Sequence, residues 1–467
     1  LRNPAFFWHS WAHWTGKSCS PLPPCPPWFS RFGRRTTFVL PLILSIPLGL
    51  TVALAVDYLM LVIARLLFGA MLAGTFLSLY VARLELCDPP HRLMVTMSAS
   101  FFWVAGQLFL PGLAVACGEW RLLQGAITLG LALLAACWWS PSLFLESARW
   151  LLATQQLEKG RRALLDLARG NGVSPENSSP TGEPLLAELD SWPGGSPRAE
   201  YHSVCRLFST RVVWKNSLIL GFTAFIGSGI RHCFTRNLAP YGPHFYFPYF
   251  LMAGSEAAAV LFLCLTVDRF GRRAILLLST VLTGVSSLLL LALMQYLMTW
   301  LILALSVLGI LASQAVAALS VFFAGEVLPT VVRGAGLGLI LAAHTMGQAA
   351  TPIMDIHHSR GFFLHHVVFA SFAILSVLSI MLLPESSHRP LPDSMQEGET
   401  QHRPPLFHPS RHRRRQDQLP LLSTHSGASP YDPDTYAHLV TATKKMLDSR
   451  AGPAGTWGQG NPLSPEP

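Results

Sequence analysis

The feature that governs this chain is a series of long apolar runs divided by short loops. A helix needs about 20 mostly apolar residues to cross a hydrocarbon core of roughly 30 Å. Inside that core every backbone N–H and C=O must be paired within the protein, which makes the helix the default. Ten spans are predicted, at 38–56, 59–82, 94–116, 121–140, 216–236, 246–267, 274–294, 299–322, 334–354 and 361–383. Composition agrees, with 51% of residues hydrophobic and 13% charged, about half the charged share of a soluble domain. A soluble enzyme is excluded, and the fold class expected is an all-α multi-spanning membrane bundle. The net charge of +9 could suit nucleic acid. The basic residues, however, sit in loops between apolar runs, where they report topology. The partner expected is the lipid bilayer, not nucleic acid.

Loop charge orients the bundle. One set of loops holds Arg31, Arg34, Arg35, Arg83, Arg92, Arg269, Arg272, Arg273 and Arg333, and the opposite set holds Arg121, Arg231, Arg236 and Arg360. The first set is expected in the cytoplasm. That places both ends of the bundle inside, along with the polar insert at 142–215, which begins helical and becomes Gly/Pro/Ser-rich. The sequon at Asn177 would then stay unglycosylated. Residues 1–30 are rich in Trp and Pro, cannot form a span, and are read as foreign to the fold. Residues 384–467 are read as a disordered cytoplasmic tail. Eight cysteines show neither metal spacing nor a disulfide framework.

Three features recur in order. Arg31-Phe32-Gly33-Arg34-Arg35 returns as Arg269-Phe270-Gly271-Arg272-Arg273. Glu85 precedes Arg92 as Glu326 precedes Arg333. Glu146-Ser147 ends the fourth span as Glu385-Ser386 ends the tenth. Two related halves are therefore expected, 31–141 and 216–383, joined by the insert. Gly33 and Gly271 permit tight turns, and the arginines beyond them can reach Glu85, Glu146, Glu326 and Glu385. With Arg92, Arg149, Asp268 and Arg333 these form candidate gating charges at the inner mouth, able to join the halves in one state and part in another. The alternative is that they only set topology.

These residues carry a resemblance. Asp268-Arg269-Phe270-Gly271-Arg272-Arg273, Glu119-Trp120-Arg121-Leu122-Leu123-Gln124, Glu146-Ser147-Ala148-Arg149-Trp150-Leu151-Leu152, Glu326-Val327-Leu328-Pro329-Thr330-Val331-Val332-Arg333 and Pro384-Glu385-Ser386 resemble motifs of the organic cation and anion transporter family (solute carrier family 22) of the major facilitator superfamily. The likeness covers about residues 31–400 and is to a divergent branch. It implies a bundle of two pseudo-repeated halves with twelve helices. The first two helices and the extracellular loop between them have no counterpart among the ten spans, so transport competence of this chain is in question. The family's acidic residue before Arg31 is Ser30, and its Pro before Glu146 is Leu145.

Polar residues within spans are the binding candidates. Glu256 precedes Asp268 by 12 residues, or about 18 Å at 1.5 Å per residue, near mid-membrane. It matches a family Glu, although the family's Pro two positions on is Ala258. It either binds a cation or proton or bonds within its own half. Ser228, Arg231, His232 and Thr235 share a helix face that could look into an outer cavity. Otherwise Arg231 snorkels to water. Glu256 is the carboxylate expected to be nearest Arg231. The family's aromatic pair appears as Gly227 and Ser228. By resemblance, Thr345 falls where anion carriers have Arg and cation carriers Asp, with titratable His344 beside it. Arg65 matches a family Arg near the outer side, read as structural.

The function expected is secondary transport of small organic ions by alternating access, leaning to anions because Arg231 and Arg236 lie outward and the usual cation selectors are absent. The alternative is a non-transporting receptor or scaffold on the same fold. No cofactor, metal or catalytic residue is called for, and no phosphate-cradling Gly-rich loop suggests ATP-driven pumping. The plasma membrane is the expected location. In the tail, Arg411 and Arg413 to Arg415 could meet anionic lipid. Asp417-Gln418-Leu419-Pro420-Leu421-Leu422 and Tyr436-Ala437-His438-Leu439 match patterns read by sorting adaptors.

Overall fold

A computed structural model describes residues 33–138, 146–170, 205–236, 238, 246–293, 298–356, 362–387 and 389–400. All regular structure among them is helical. In chain order the helices are α1 (Gly33–Ala53), α2 (Tyr58–Leu86), α3 (Arg92–Cys117), α4 (Trp120–Trp138), α5 (Ala148–Ala153), α6 (Leu157–Gly170), α7 (Cys205–Ser209), α8 (Arg211–Arg236), α9 (Tyr246–Phe270), α10 (Arg272–Leu293), α11 (Thr299–Val327), α12 (Arg333–Ile356), α13 (Phe362–Ile380) and α14 (Met395–Glu399).

Each predicted span falls on one of these helices. Six among the described residues are long and apolar enough to cross a membrane: α1, α2, α3, α9, α10 and α11. The apolar parts of α4 and α13 among them, Trp120–Ala136 and Ala370–Ile380, are shorter. The span expected at 216 starts earlier, at Arg211, because Arg211 and Lys215 continue the helix while breaking the apolar run. The insert's helical start is two helices. The break lies near Gln155, whose φ is +61°.

α1–α4 form one set of helices and α8–α13 another. α2 carries exposed Leu59, Met60, Ile63, Leu67 and Phe76, and α3 carries exposed Phe102, Trp103 and Phe109. Such surface suits hydrocarbon rather than water. Pro41, Pro47 and Pro111 lie inside α1 and α3, which membrane helices tolerate because neighbours satisfy the freed backbone groups.

The largest buried cluster belongs to both sets. Leu77, Tyr80, Val81, Leu84, Leu93 and Met97 pack with Leu319, Phe322, Phe323, Val327 and Val332. Leu84 sits so tightly on Gly325 that a Cβ there would lie 2.4 Å from Leu84 Cδ1. The two sets are therefore in close contact at the arginine-rich end.

The stretch from 384 read as disordered is ordered at 384–387 and 389–400 among the described residues. Leu391 is buried, and Ser394 and Glu397 form a capping box that opens α14. Met395 packs on the shared core. Residues 1–32, most of the insert (171–204, with Asn177), and 401–467, with Arg411 to Arg415 and both sorting patterns, lie outside the described residues.

Candidate functional site

The repeated motifs meet at the arginine-rich end and build two copies of one arrangement. In the first, Arg34 Nη2 donates to Glu85 Oε1 at 2.9 Å and Nε to Oε2 at 3.2 Å. In the second, Arg272 Nε donates to Glu326 Oε2 at 3.1 Å. Each carboxylate also takes an arginine from the other set. Arg333 of α12 donates to Glu85 at 3.0 Å, and Arg92 of α3 lies 3.5 Å from Glu326. Ser147 bonds Glu85, and Ser386 Oγ donates to Glu326 at 2.7 Å. The Arg34 Nη2 also reaches the Thr330 carbonyl at 3.1 Å. The side chains of Glu85 and Arg333 are 0% exposed, so this is a fully desolvated charge cluster.

Buried ion pairs gain little net stability over apolar packing, yet breaking one is costly. That makes the cluster a poor glue and a good detent. Among the described residues Arg92 Nε and Arg333 Nε have no hydrogen-bond acceptor. Arg272 Nη2, on an arginine that stays within its own set, lacks one as well.

Glu146 and Glu385 do something the sequence did not suggest. Their carboxylates accept backbone N–H groups: Glu385 from Arg272 at 3.0 Å and Arg273 at 3.1 Å, and Glu146 from Arg34 and Arg35. They cap the first turns of α10 and α1, where orphan N–H groups and the helix dipole favour an anion. Gly33 and Gly271 have φ of +82° and +92°. A Cβ would lie 2.8 Å from Glu146 Oε2 and 3.1 Å from Glu385 Oε2. The glycine motif thus makes room for the capping carboxylate as well as for the turn.

Of the remaining gating candidates, Asp268 pairs with Arg272 at 3.0 Å, and the Arg273 guanidinium donates to the Met381 carbonyl. Arg149 pairs with Asp393 at 3.1 Å, a partner beyond the last span that no repeat pointed to. Asp393 also accepts from Thr330 Oγ1 at 2.9 Å. Burial pushes its carboxyl above the ordinary aspartate range, while Arg149 and Thr330 pull it back.

The mid-span candidates are not brought together as expected. Arg231 donates to Gln314 of α11, and Glu256 accepts from Gln107 of α3 at 3.3 Å. Tyr249 adds a hydroxyl bond to the Gln107 carbonyl at 2.7 Å. Among the described residues Glu256 thus bonds to Gln107 of the other helix set, and Arg231 to Gln314. Ser228 does not look into a cavity: it is 2% exposed and donates to the His344 carbonyl at 2.7 Å. Thr345 is buried and returns its hydroxyl to the Ala342 carbonyl, and the His344 ring meets Gln348 at 3.2 Å. The His232 side chain lies outside the described residues. Gly227 and Gly347 mark places where the helices approach closely. A Cβ on Gly227 would lie 2.9 Å from Val316, and one on Gly347 only 2.3 Å from the Phe225 carbonyl oxygen. α8, α11 and α12 are packed too closely there for larger side chains. Among the described residues no group of three His, Cys, Asp or Glu could hold a metal ion.

Comparison with known proteins follows this geometry. A Major Facilitator Superfamily profile matches residues 245–427 and a Sugar (and other) transporter profile matches 25–241. Solute carrier family 22 member 17 of Mus musculus is 43% identical over 396 residues, covering 85% of this chain and 98% of that one. The chain belongs to solute carrier family 22. Member 23 of Homo sapiens is 36% identical over 422 residues, 85% of this chain and 59% of that one, so the chain spans less than two thirds of that relative's length. Among solved structures, the proton:xylose symporter XylE superposes with a TM-score of 0.62 at 16% identity, over 83% of this chain and 87% of that one. That likeness speaks for the fold alone. As a family 22 solute carrier of major facilitator fold, the protein is a multi-pass membrane protein.

Proposed function

We propose that this family 22 member carries small organic ions across the membrane by alternating access, with its arginine-rich end in the cytoplasm and anions preferred. The observation that carries the reading is the crossed latch. Glu85 and Glu326 each hold one arginine of their own helix set and one of the other. A cluster that only marked topology would need no carboxylate and no crossing. When the sets part at this end, the pairs within a set can persist while the crossed pairs break, which suits a gate with two discrete states.

The anion preference rests on Arg231. Its described contact, Gln314, is neutral, and Glu256 is engaged elsewhere. An arginine in a span whose partner among the described residues is neutral attracts anions wherever water reaches it. The second reading, a receptor or scaffold, is supported by the close packing at Gly227 and Gly347, which fills a region where a carrier could keep room for ligand.

The test is uptake of one anionic and one cationic organic probe into cells expressing the parent or Arg231→Gln at equal surface density. Selective loss of anion uptake is expected. Equal loss of both would reduce Arg231 to a structural role. No uptake of either by the parent would support the receptor reading. Labelling of Ser196→Cys from outside intact cells would overturn the orientation.

A further inference from the structure

We infer that Pro111 creates a second joint between the helix sets, in which Tyr249 of α9 locks onto the Gln107 carbonyl of α3 and holds the outer half closed. This rests on the alternating-access reading above. An α-helix bonds each N–H to the carbonyl four residues earlier. Proline has no N–H, and its ring crowds that carbonyl. Pro111 lies inside α3, so the carbonyl left without its helical donor is that of Gln107. In hydrocarbon such an orphan needs a donor from a neighbour. Tyr249 supplies one, its hydroxyl donating to the Gln107 carbonyl at 2.7 Å.

The same rule operates inside the N-terminal set. Pro41 of α1 orphans the Thr37 carbonyl, and Ser78 Oγ of α2 donates to it at 2.8 Å. The two bonds differ in what they join. Ser78 and Thr37 belong to one set and can stay together through any movement of the sets. Tyr249 and Gln107 belong to different sets, so their bond breaks wherever the sets part at that level. Gln107 is also held a second time, its Nε2 donating to Glu256 Oε2 at 3.3 Å. Both contacts come from one face of α9, because Tyr249, Ala253 and Glu256 follow helical spacing. Ala253, between them, is 2% exposed.

Position decides which end this joint closes. Gln107 follows Arg92 of the latch by 15 residues, about 22 Å at 1.5 Å per residue. α3 is 26 residues long, so Gln107 lies past its midpoint. Tyr249 sits in the first turn of α9, at the end opposite Asp268. Latch and proline-made joint therefore stand on opposite sides of the middle, and a rocking of the sets that opens one closes the other.

The experiment uses two cysteine reporters in the full chain, Ala253→Cys in this joint and Leu84→Cys beside the latch. Tyr249→Phe removes the hydroxyl and keeps the ring. Maleimide labelling at Ala253→Cys should then rise about tenfold, the scale of an acceptor left without its donor, and labelling at Leu84→Cys should fall. Pro111→Ala returns a helical N–H to the Gln107 carbonyl. In that background Tyr249→Phe should change either rate by less than about twofold, the coupling that a shared carbonyl demands. Ser78→Ala, the same loss within one set, should leave the balance between the reporters as it is. Faster labelling at both reporters would mark a general loss of stability and overturn the proposal. Unchanged rates would overturn it too, as would a Tyr249→Phe effect of equal size with and without Pro111. Reciprocal labelling shifts without uptake of either organic probe would sustain the lock and count against transport. Normal uptake with unshifted labelling in Tyr249→Phe would do the reverse.

Discussion

Glu85 offers the sharpest test of the latch, because its replacement loads one conformation and spares the other. In Glu85→Gln the amide keeps the size and one acceptor oxygen, so the surroundings hold their shape. The lost charge leaves Arg34 and Arg333 facing each other with side chains 5% and 0% exposed. Removing one partner of a buried pair costs about 3–5 kcal/mol, since the survivor stays charged and desolvated. That penalty applies while the helix sets are closed. Once they part, Arg333 reaches water and is relieved. Even the lower figure, about 3 kcal/mol, corresponds to roughly a hundredfold fall in the closed-to-open ratio. Maleimide labelling of Leu84→Cys reports the open population, because Leu84 is wholly buried against Gly325 in the closed form. The rate should rise at least about tenfold in Glu85→Gln. The double variant Glu85→Gln with Arg333→Gln removes the orphan charge and should recover much of the closed population, a coupling that independent sites would not show. A parent-like rate in the single variant, or a double variant as open as the single, would refute the reasoning.

Two further outcomes follow from the glycines. Gly33→Ala and Gly271→Ala should each lower the thermal unfolding midpoint in detergent, since a left-handed residue with a Cβ costs roughly 1–2 kcal/mol before any clash with the capping carboxylate. Glu385→Gln, which weakens the cap but keeps its shape, should cost less than Gly271→Ala in the same melt. Gly347→Ala should be the most damaging small substitution in the C-terminal set. Its Cβ would meet a backbone oxygen at 2.3 Å, which cannot rotate away, and a near-parent melting point would show that α8 and α12 can separate there at little cost.

The helices were legible because hydropathy and loop charge are properties of single runs, and each predicted span from 38–56 to 361–383 overlies a helix. The ion-pair cluster was legible because duplication wrote its charges twice: Arg34 with Glu85 repeats as Arg272 with Glu326. What escaped has no such signature. Glu146 and Glu385 look like side-chain partners in sequence, and only the positive φ of the glycines shows that they address backbone N–H groups. Gln107 and Gln314 are neutral, so nothing in the charge pattern marked them as the partners of Glu256 and Arg231. Asp393 sits in a stretch whose Pro, His and Arg content reads as tail, yet Leu391 and Gly398 are buried because the 328–332 corner receives them. Close packing at Gly227 and Gly347 depends on how three helices cross, which no single run records.

The crossed pairing has an electrical consequence. On the alternating-access reading proposed above, opening of the joint would leave Glu85 and Glu326 with Arg34 and Arg272 and part Arg92 and Arg333 from their carboxylates. On that reading the arginine excess already present in the cluster would face water at this end once the joint opens. Such a mouth would then draw small anions from the surrounding solution as it became accessible, and closure would return each arginine to the other set's glutamate. An inward-facing carrier of this design would stay open longer when an anion occupies the vestibule, because the anion stands in for the missing carboxylates.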